Sequence, residues 1–307
     1  MQLIRGLQSL TEQAHGCVAT IGKFDGIHCG HQQILDAVIA KATAMNVPSV
    51  VILFEPDPQE YFLGDKAPAR LTRFREKWAE LEQLGIDKVL CLRFNLKLAQ
   101  MPAEDFINDI LIRRLKVRHL IVGDDFRFGA SRQGDFTLLQ QMGEQHFSVQ
   151  STASIMQGSE RISSTLIRQK LADNQLDDVR LLLGRNFTIS GRVTHGDKVG
   201  RTLGFPTLNI PLKRKVSPVK GVYLVRVSGV SDTPRYGVAN VGVRPTLDKL
   251  VSRLEVHVLD FEQQCYGAHV TVAFLHKLRE EQKFASLDEL KQQIAQDIQQ
   301  AKHLISN

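Results

Sequence analysis

Short β-branched runs alternate with segments of helical period through the first half of the chain. Residues 18–21 read as a buried strand, 33–44 as a helix and 50–54 as a second strand. Residues 73–84 are helical and stop at Gly85, while 88–92 and 119–122 add two more strands. This alternation predicts an α/β fold, a parallel sheet covered on both faces. Ligands of such sheets sit beyond the carboxyl ends of strands, where Gly22 and Gly123 fall.

After about residue 184 the period shortens. Residues 222–227, 236–241, 254–259 and 270–274 read as closely spaced strands, separated by turns at 228–229, at Asp232 with Pro234, and at 266–267. They predict a small antiparallel β-barrel. A terminal amphipathic helix is expected over 286–302, with Ser286 as its N-cap and Glu289 as the capping-box partner. Two domains follow, 1–184 and 185–307, because 307 residues exceed what one average core serves. No internal repeat or low-complexity stretch is visible, so a solenoid is excluded.

Composition is ordinary for a globular protein, with 43% hydrophobic and 23% charged residues. Neither an eighteen-residue apolar run nor a basic-then-apolar leader is present, so no membrane span or signal peptide is expected. Cys17, Cys29, Cys91 and Cys265 are scattered, which points to free thiols in a reducing cytoplasm. Charge is uneven: 21 Lys+Arg face 22 Asp+Glu in 1–184, and 18 face 11 in 185–307. The basic excess of the second half suits a phosphorylated small molecule. Nucleic acid would need basic residues interleaved with aromatics, and the one tight cluster, residues 213–215, has none.

Two glycine-bearing loops carry the candidate chemistry. In the first, Phe24-Asp25-Gly26-x-His28-x-Gly30-His31 joins a strand to a helix. Glycines let backbone approach phosphate, the helix start supplies N–H groups, and two histidines can donate to phosphate oxygens. Zinc ligation by the His-x-x-His pair and simple helix capping are the competing readings. Ser163-Ser164-Thr165 with Arg168 opens a further helix, either as an anion site or as a plain serine cap.

In the second loop, Gly191, Gly196, Gly200 and Gly204 surround Asp197, Arg201 and the extended segment from Pro206 to Asn209. Thr207 and Asn209 alternate onto one face, so both oxygens can point at one magnesium ion. Glu255 and His257 share a strand face opposite apolar neighbours. A carboxylate there can take a proton from a hydroxyl, or the face can merely be solvated. No Walker A sequence occurs, so a P-loop kinase is not indicated.

His28-x-Gly30-His31 with Ser163-Ser164-Thr165-x-x-Arg168 resembles the signature pair of the nucleotidyltransferase superfamily. Phe24-Asp25-Gly26 and residues 123–129 (Gly-Asp-Asp-Phe-Arg-Phe-Gly) resemble the adenylyltransferase half of the bacterial bifunctional riboflavin kinase/FAD synthetase family. Residues 200–209, the Asn240-Val241-Gly242-x-Arg244-Pro245-Thr246 segment, residues 255–261 and 278–280 resemble its riboflavin kinase module. The resemblance runs the length of the chain. It implies a Rossmann-like FMN adenylyltransferase (FAD synthetase) domain followed by a riboflavin kinase barrel, with ATP, riboflavin, FMN, FAD and Mg²⁺ as ligands and no nucleic acid or membrane.

Carried over by resemblance, His28 and His31 steady the α-phosphate of ATP during attack by FMN. Gly22, Phe24, Asp25, Gly26 and Gly30 form the loop around it. Ser163, Ser164, Thr165 and Arg168 hold the departing pyrophosphate. Gly123, Asp124, Asp125, Phe126 and Phe128 line the flavin and nucleotide cleft, the two aspartates near magnesium or ribose. In the barrel, Thr207 and Asn209 position magnesium, and Gly196, Arg201, Gly204 and Pro206 the nucleotide. Glu255 is the base on the ribityl 5′-hydroxyl, and Arg279 lies near the flavin. Two departures are visible: Asp57 stands where many relatives carry histidine and is given no role, and Leu208 replaces the commonest alanine. A flavin-binding regulator with decayed catalysis, and a nucleotidyltransferase with an RNA-binding barrel, are the alternatives from other classes.

Overall fold

The computed structural model describes residues 1–10, 15–196, 199–245 and 250–306. Asp197 and Thr246, singled out above, lie outside the described residues, as do the side chains of Arg201, Arg244 and Pro245. Contacts divide the chain into two units, Met1–Pro68 with Thr72–Ser164, and Ala69–Leu71 with Thr165–Asn307.

In the first unit six strands, β1 (Gln2–Arg5), β2 (Cys17–Ile21), β3 (Ser49–Glu55), β4 (Lys88–Arg93), β5 (Val117–Gly123) and β6 (Ser148–Thr152), form a parallel sheet. Their order is β1-β4-β3-β2-β5-β6. The four strands legible in the sequence are the central ones, whose apolar runs follow from burial on both faces. The edges escaped it, since β6 is Ser-Val-Gln-Ser-Thr and largely exposed. Leu35, Val38, Val51 and Leu81 pack one face of the sheet. Ile107, Ile110, Leu111 and Leu120 pack in a second core cluster. The latter helix runs from Ala103–Asp105 into a π-wound stretch, Phe106–Arg114, in which Leu115 N–H donates to the Ile110 carbonyl at 3.0 Å. A hairpin of β7 (Met156–Gln157) and β8 (Glu160–Arg161) follows the sheet.

Chain order runs from β2 through β3 to one side and through β5 to the other. The topological switch point therefore lies between the carboxyl ends of β2 and β5. Gly22 leaves the first and Gly123 ends the second.

In the second unit β9 (Thr188–Arg192), β10 (Leu208–Pro211), β11 (Gly221–Ser228), β12 (Arg235–Pro245), β13 (Leu250–Val258) and β14 (His269–Arg279) pair antiparallel. Their order is β10-β13-β12-β11-β14-β9. Thr194, just past β9, donates its N–H to the Asn209 carbonyl on β10 at 2.8 Å and nearly closes the barrel. Period-two alternation separates two faces. Tyr223, Val225, Ala239, Val256 and Phe274 are buried on one. Val222, Leu224 and Val238 pack on the other against Ala301 of the terminal helix, Leu287–Ser306.

That helix is capped as expected by Ser286, whose Oγ accepts from Glu289 N–H at 3.2 Å. Glu289 returns not to Ser286 but to Ala285 N–H at 3.0 Å, one residue earlier than a capping box requires. No helix among the described residues is long and apolar enough to cross a membrane.

Candidate active sites

The loop after β2 is built from residues that force its path. Phe24 and Ile27 adopt left-handed φ values of 46° and 40°, and Gly26 one of 89°. Burial holds them there, since the Phe24 ring is 1% exposed and Ile27 is fully buried. Asp25 Oδ1 accepts from Thr72 N–H at 2.9 Å, and Gly26 N–H donates to Thr72 Oγ1 at 2.9 Å. Phe24 and Asp25 are thus placed inside the protein, as anchors of the loop. Gly22 must be glycine because a Cβ would press on the Phe24 ring.

His28 ends this loop and caps the helix Cys29–Met45, which starts four residues before the sequence reading because His28 replaces its missing acceptor. His28 Nδ1 accepts from His31 N–H at 3.3 Å, so in the neutral ring the proton sits on Nε2. The capping reading was therefore correct for His28, and it leaves Nε2 as a donor. The rings of His28 and His31 stack, with centroids 3.6 Å apart and planes 19° apart. Among the described residues no group of three His, Cys, Asp or Glu stands in metal-binding geometry. His31 Nδ1 is buried with no hydrogen-bond partner. Burial, then the neighbouring charges of His28 and Lys77, hold the His31 pKa well below 6.5.

Lys77 is 8% exposed and donates to the carbonyl of Lys23 from beneath the loop. Sequence reasoning missed both Lys77 and Thr72, because nothing in a helix-period lysine or a lone threonine marks it for the loop. Asp57, left without a role above, caps the helix Pro58–Leu63 through Gln59 N–H at 2.7 Å and pairs with Lys23 at 3.4 Å. On that helix Tyr61 and Phe62 form an exposed edge-to-face cluster with Phe94, just past the carboxyl ends of β3 and β4.

Beyond β5, Asp124 and Asp125 are exposed and share Arg161 of β8, at 3.2 and 2.9 Å. Hydrogen bonds from Ser154 hold the Asp124 carboxyl below its ordinary pKa. Phe126 stacks on Phe128 with centroids 5.4 Å apart, and Phe128 is buried against Phe106. Ser164 begins a helix, Ser164–Ala172, and donates its Oγ to the Asp25 carbonyl at 2.8 Å. A Cβ at Gly30 would lie nearest the His28 ring and the Ile162 carbonyl, which precedes Ser163. Thr165 and Arg168 continue that helix within the second unit, where Arg168 Nε donates to the Ala69 carbonyl at 2.6 Å.

In the barrel, β10 lies beside β13 with Asn209 directly opposite Glu255. Asn209 is buried and its amide nitrogen donates to the Thr207 carbonyl at 3.4 Å, which turns the amide oxygen the other way. Gly196 makes room for it, since a Cβ there would overlap the Asn209 side chain. Gly204, with φ of 89°, turns the chain into Pro206. His257 Nδ1 lies 2.9 Å from the Pro206 carbonyl and edge-on to Phe205, latching this loop to β13. Its shared face with Glu255 was legible in the sequence; this latch was not. Arg279 is engaged elsewhere. Its guanidinium grips Asp297 of the terminal helix through Nε–Oδ1 at 2.9 Å and Nη2–Oδ2 at 2.9 Å.

The FAD synthetase model matches residues 10–166 and the riboflavin kinase model residues 183–305. A bifunctional riboflavin kinase/FMN adenylyltransferase of Escherichia coli K12 is 53% identical over 97% of this chain and 96% of its own length. The chain belongs to the bifunctional riboflavin kinase/FMN adenylyltransferase family. The Haemophilus influenzae member is 48% identical over 98% of both chains. Among solved structures, one described as a macrolide-efflux protein from Streptococcus pneumoniae superposes with a TM-score of 0.84 at 28% identity, over 98% of this chain and 99% of the other. That chain thus shares the fold of this one along nearly its whole length.

Proposed function

We propose that the chain carries out both reactions of its family: the barrel phosphorylates riboflavin with ATP to FMN, and the parallel-sheet unit adenylylates FMN with a second ATP to FAD and pyrophosphate. One observation carries this reading. The stacked histidines lie wholly in the first unit and the Asn209–Glu255 pair wholly in the second, so each unit holds its own constellation. We place the division of activities at residues 184/185, beside the start of the riboflavin kinase match at residue 183. Four free cysteines favour a reducing cytoplasm.

In the adenylyltransferase, the buried His31 ring stays neutral and offers hydrogen bonds without opposing the His28 ring. His28 Nε2–H and the N–H groups at the helix start face charge that builds on the α-phosphate. Ser164, the last residue of the first unit, stands at a second helix start suited to pyrophosphate. Gly123, Asp124 and Asp125 lie across the switch point, toward ribose. The exposed Tyr61 and Phe62, with the half-buried Phe94, offer a platform for a flat flavin ring.

In the kinase, Glu255 takes the proton of the ribityl 5′-hydroxyl as its oxygen attacks the γ-phosphorus. Thr207 and the outward amide oxygen of Asn209 are hard oxygen donors and fit magnesium. That ion, when bound, neutralises charge on the phosphates. Gly196, Arg201, Gly204 and Pro206 shape the nucleotide loop, which His257 latches. Arg279 acts on the flavin side by fixing the terminal helix through Asp297. Incubation with riboflavin, ATP and Mg²⁺, followed by flavin chromatography, should show FMN and then FAD. Absence of both products would overturn the reading.

A further inference from the structure

Asn240 of β12 stands directly opposite Glu255 of β13, which in turn stands opposite Asn209 of β10. Paired residues of adjacent strands project to the same side, so the three side chains form one row on the outer face of the barrel. Asn240 Oδ1 is buried and, among the described residues, meets no hydrogen-bond donor. A buried acceptor left without a donor is costly, and one in a native structure calls for an explanation. The two carboxylates beside it cannot supply the donor. Glu255 on the paired strand is a carboxylate, and the Glu281 carboxylate fills the space over Gly242, two residues along β12. Glu281 itself pairs with Lys220 at 3.7 Å.

We infer that Asn240 Oδ1 accepts a hydrogen bond from the ribityl chain of riboflavin, at a hydroxyl next to the one that Glu255 deprotonates, and so selects flavins that carry the polyol. The inference rests on Glu255 acting at the 5′-hydroxyl. Cross-strand neighbours are about 5 Å apart at Cβ, close enough for both side chains to reach neighbouring hydroxyls of one polyol. A site built to hydrogen-bond a hydroxyl discriminates against a ligand lacking it, because its own acceptor is then left unmet.

The test uses the full-length enzyme and two probes, riboflavin and lumiflavin, which has the same ring but no ribityl chain. Dissociation constants come from flavin fluorescence in the presence of a non-hydrolysable ATP analogue and Mg²⁺. The quantity read is the preference for riboflavin over lumiflavin. Asn240→Ala should reduce that preference about tenfold. Asn240→Ser, which keeps an acceptor, should restore part of it. An unchanged preference in both variants, including equal weakening of both probes, overturns the assignment. Should the alanine variant bind neither flavin, the serine variant decides: its preference must fall between parity and that of the unaltered enzyme. Because these are binding equilibria, they are independent of turnover. Failure of the Glu255 reading would instead appear as full riboflavin phosphorylation by Glu255→Gln.

Discussion

Asn209 faces Glu255 across adjacent strands, so a position suited to metal and one suited to a base sit side by side on one rigid sheet face. Neither depends on a flexible loop for its placement. Glu255→Gln keeps shape and removes the proton acceptor. It should lower riboflavin phosphorylation by roughly 10²–10⁴-fold and leave FMN adenylylation intact, as separate assays of the two steps on one purified variant would show.

The histidine pair makes the opposite prediction. His28→Ala combined with His31→Ala should cut FAD formation from supplied FMN by at least about a hundredfold. FMN formation from riboflavin should persist. Loss of both activities in either variant would count against independent sites.

Acid should act on the first unit through His31. Its folded pKa lies below 6.5, so beneath that value the unfolded chain takes up a proton that the folded chain refuses. Stability therefore rises with pH up to about 6.5 and is lost as pH falls below it. Melting temperatures measured between pH 5 and 7 should fall more steeply toward acid in the unaltered enzyme than in His31→Gln.

Gly196→Ala should act through one neighbour. A methyl group there would overlap the Asn209 side chain, which must then leave its position opposite Glu255. Overpacking of this kind costs about 1–3 kcal/mol. Riboflavin phosphorylation should fall sharply with adenylylation preserved, and added Mg²⁺ should recover little of it.

Asp297 is 2% exposed and receives a two-point grip from Arg279. Removing one member of a buried ion pair leaves the other uncompensated, at a cost of about 3–5 kcal/mol. Asp297→Ala should lower the denaturant midpoint of the barrel by a corresponding amount.

Both architectures were readable because burial writes itself into period. The apolar runs of β2, β3, β4 and β5 and the alternation of β11 to β14 are direct consequences of covered faces. Strands at edges or rich in glycine, β1, β6, β9 and β10, carry too little of that pattern to be seen. Motif positions such as His28, Asn209 and Glu255 stand out in the sequence because the chemistry proposed for them needs those residue types at that spacing. What their neighbours do was not. Thr72 holding the Asp25 loop, and Asp297 claiming Arg279, arise from contacts 47 and 18 residues apart that no local window contains.

The left-handed backbone at Phe24, Gly26 and Ile27 has a further consequence. Such conformations persist only where surroundings over-determine them, and here the hydrophobic core and Thr72 do so. Folding has already met the conformational penalty of this loop, so a nucleotide bound there as proposed need not reorganise it. Drift at a position as unremarkable as Thr72 would then be felt first as slower chemistry, while the sheet beneath remained whole.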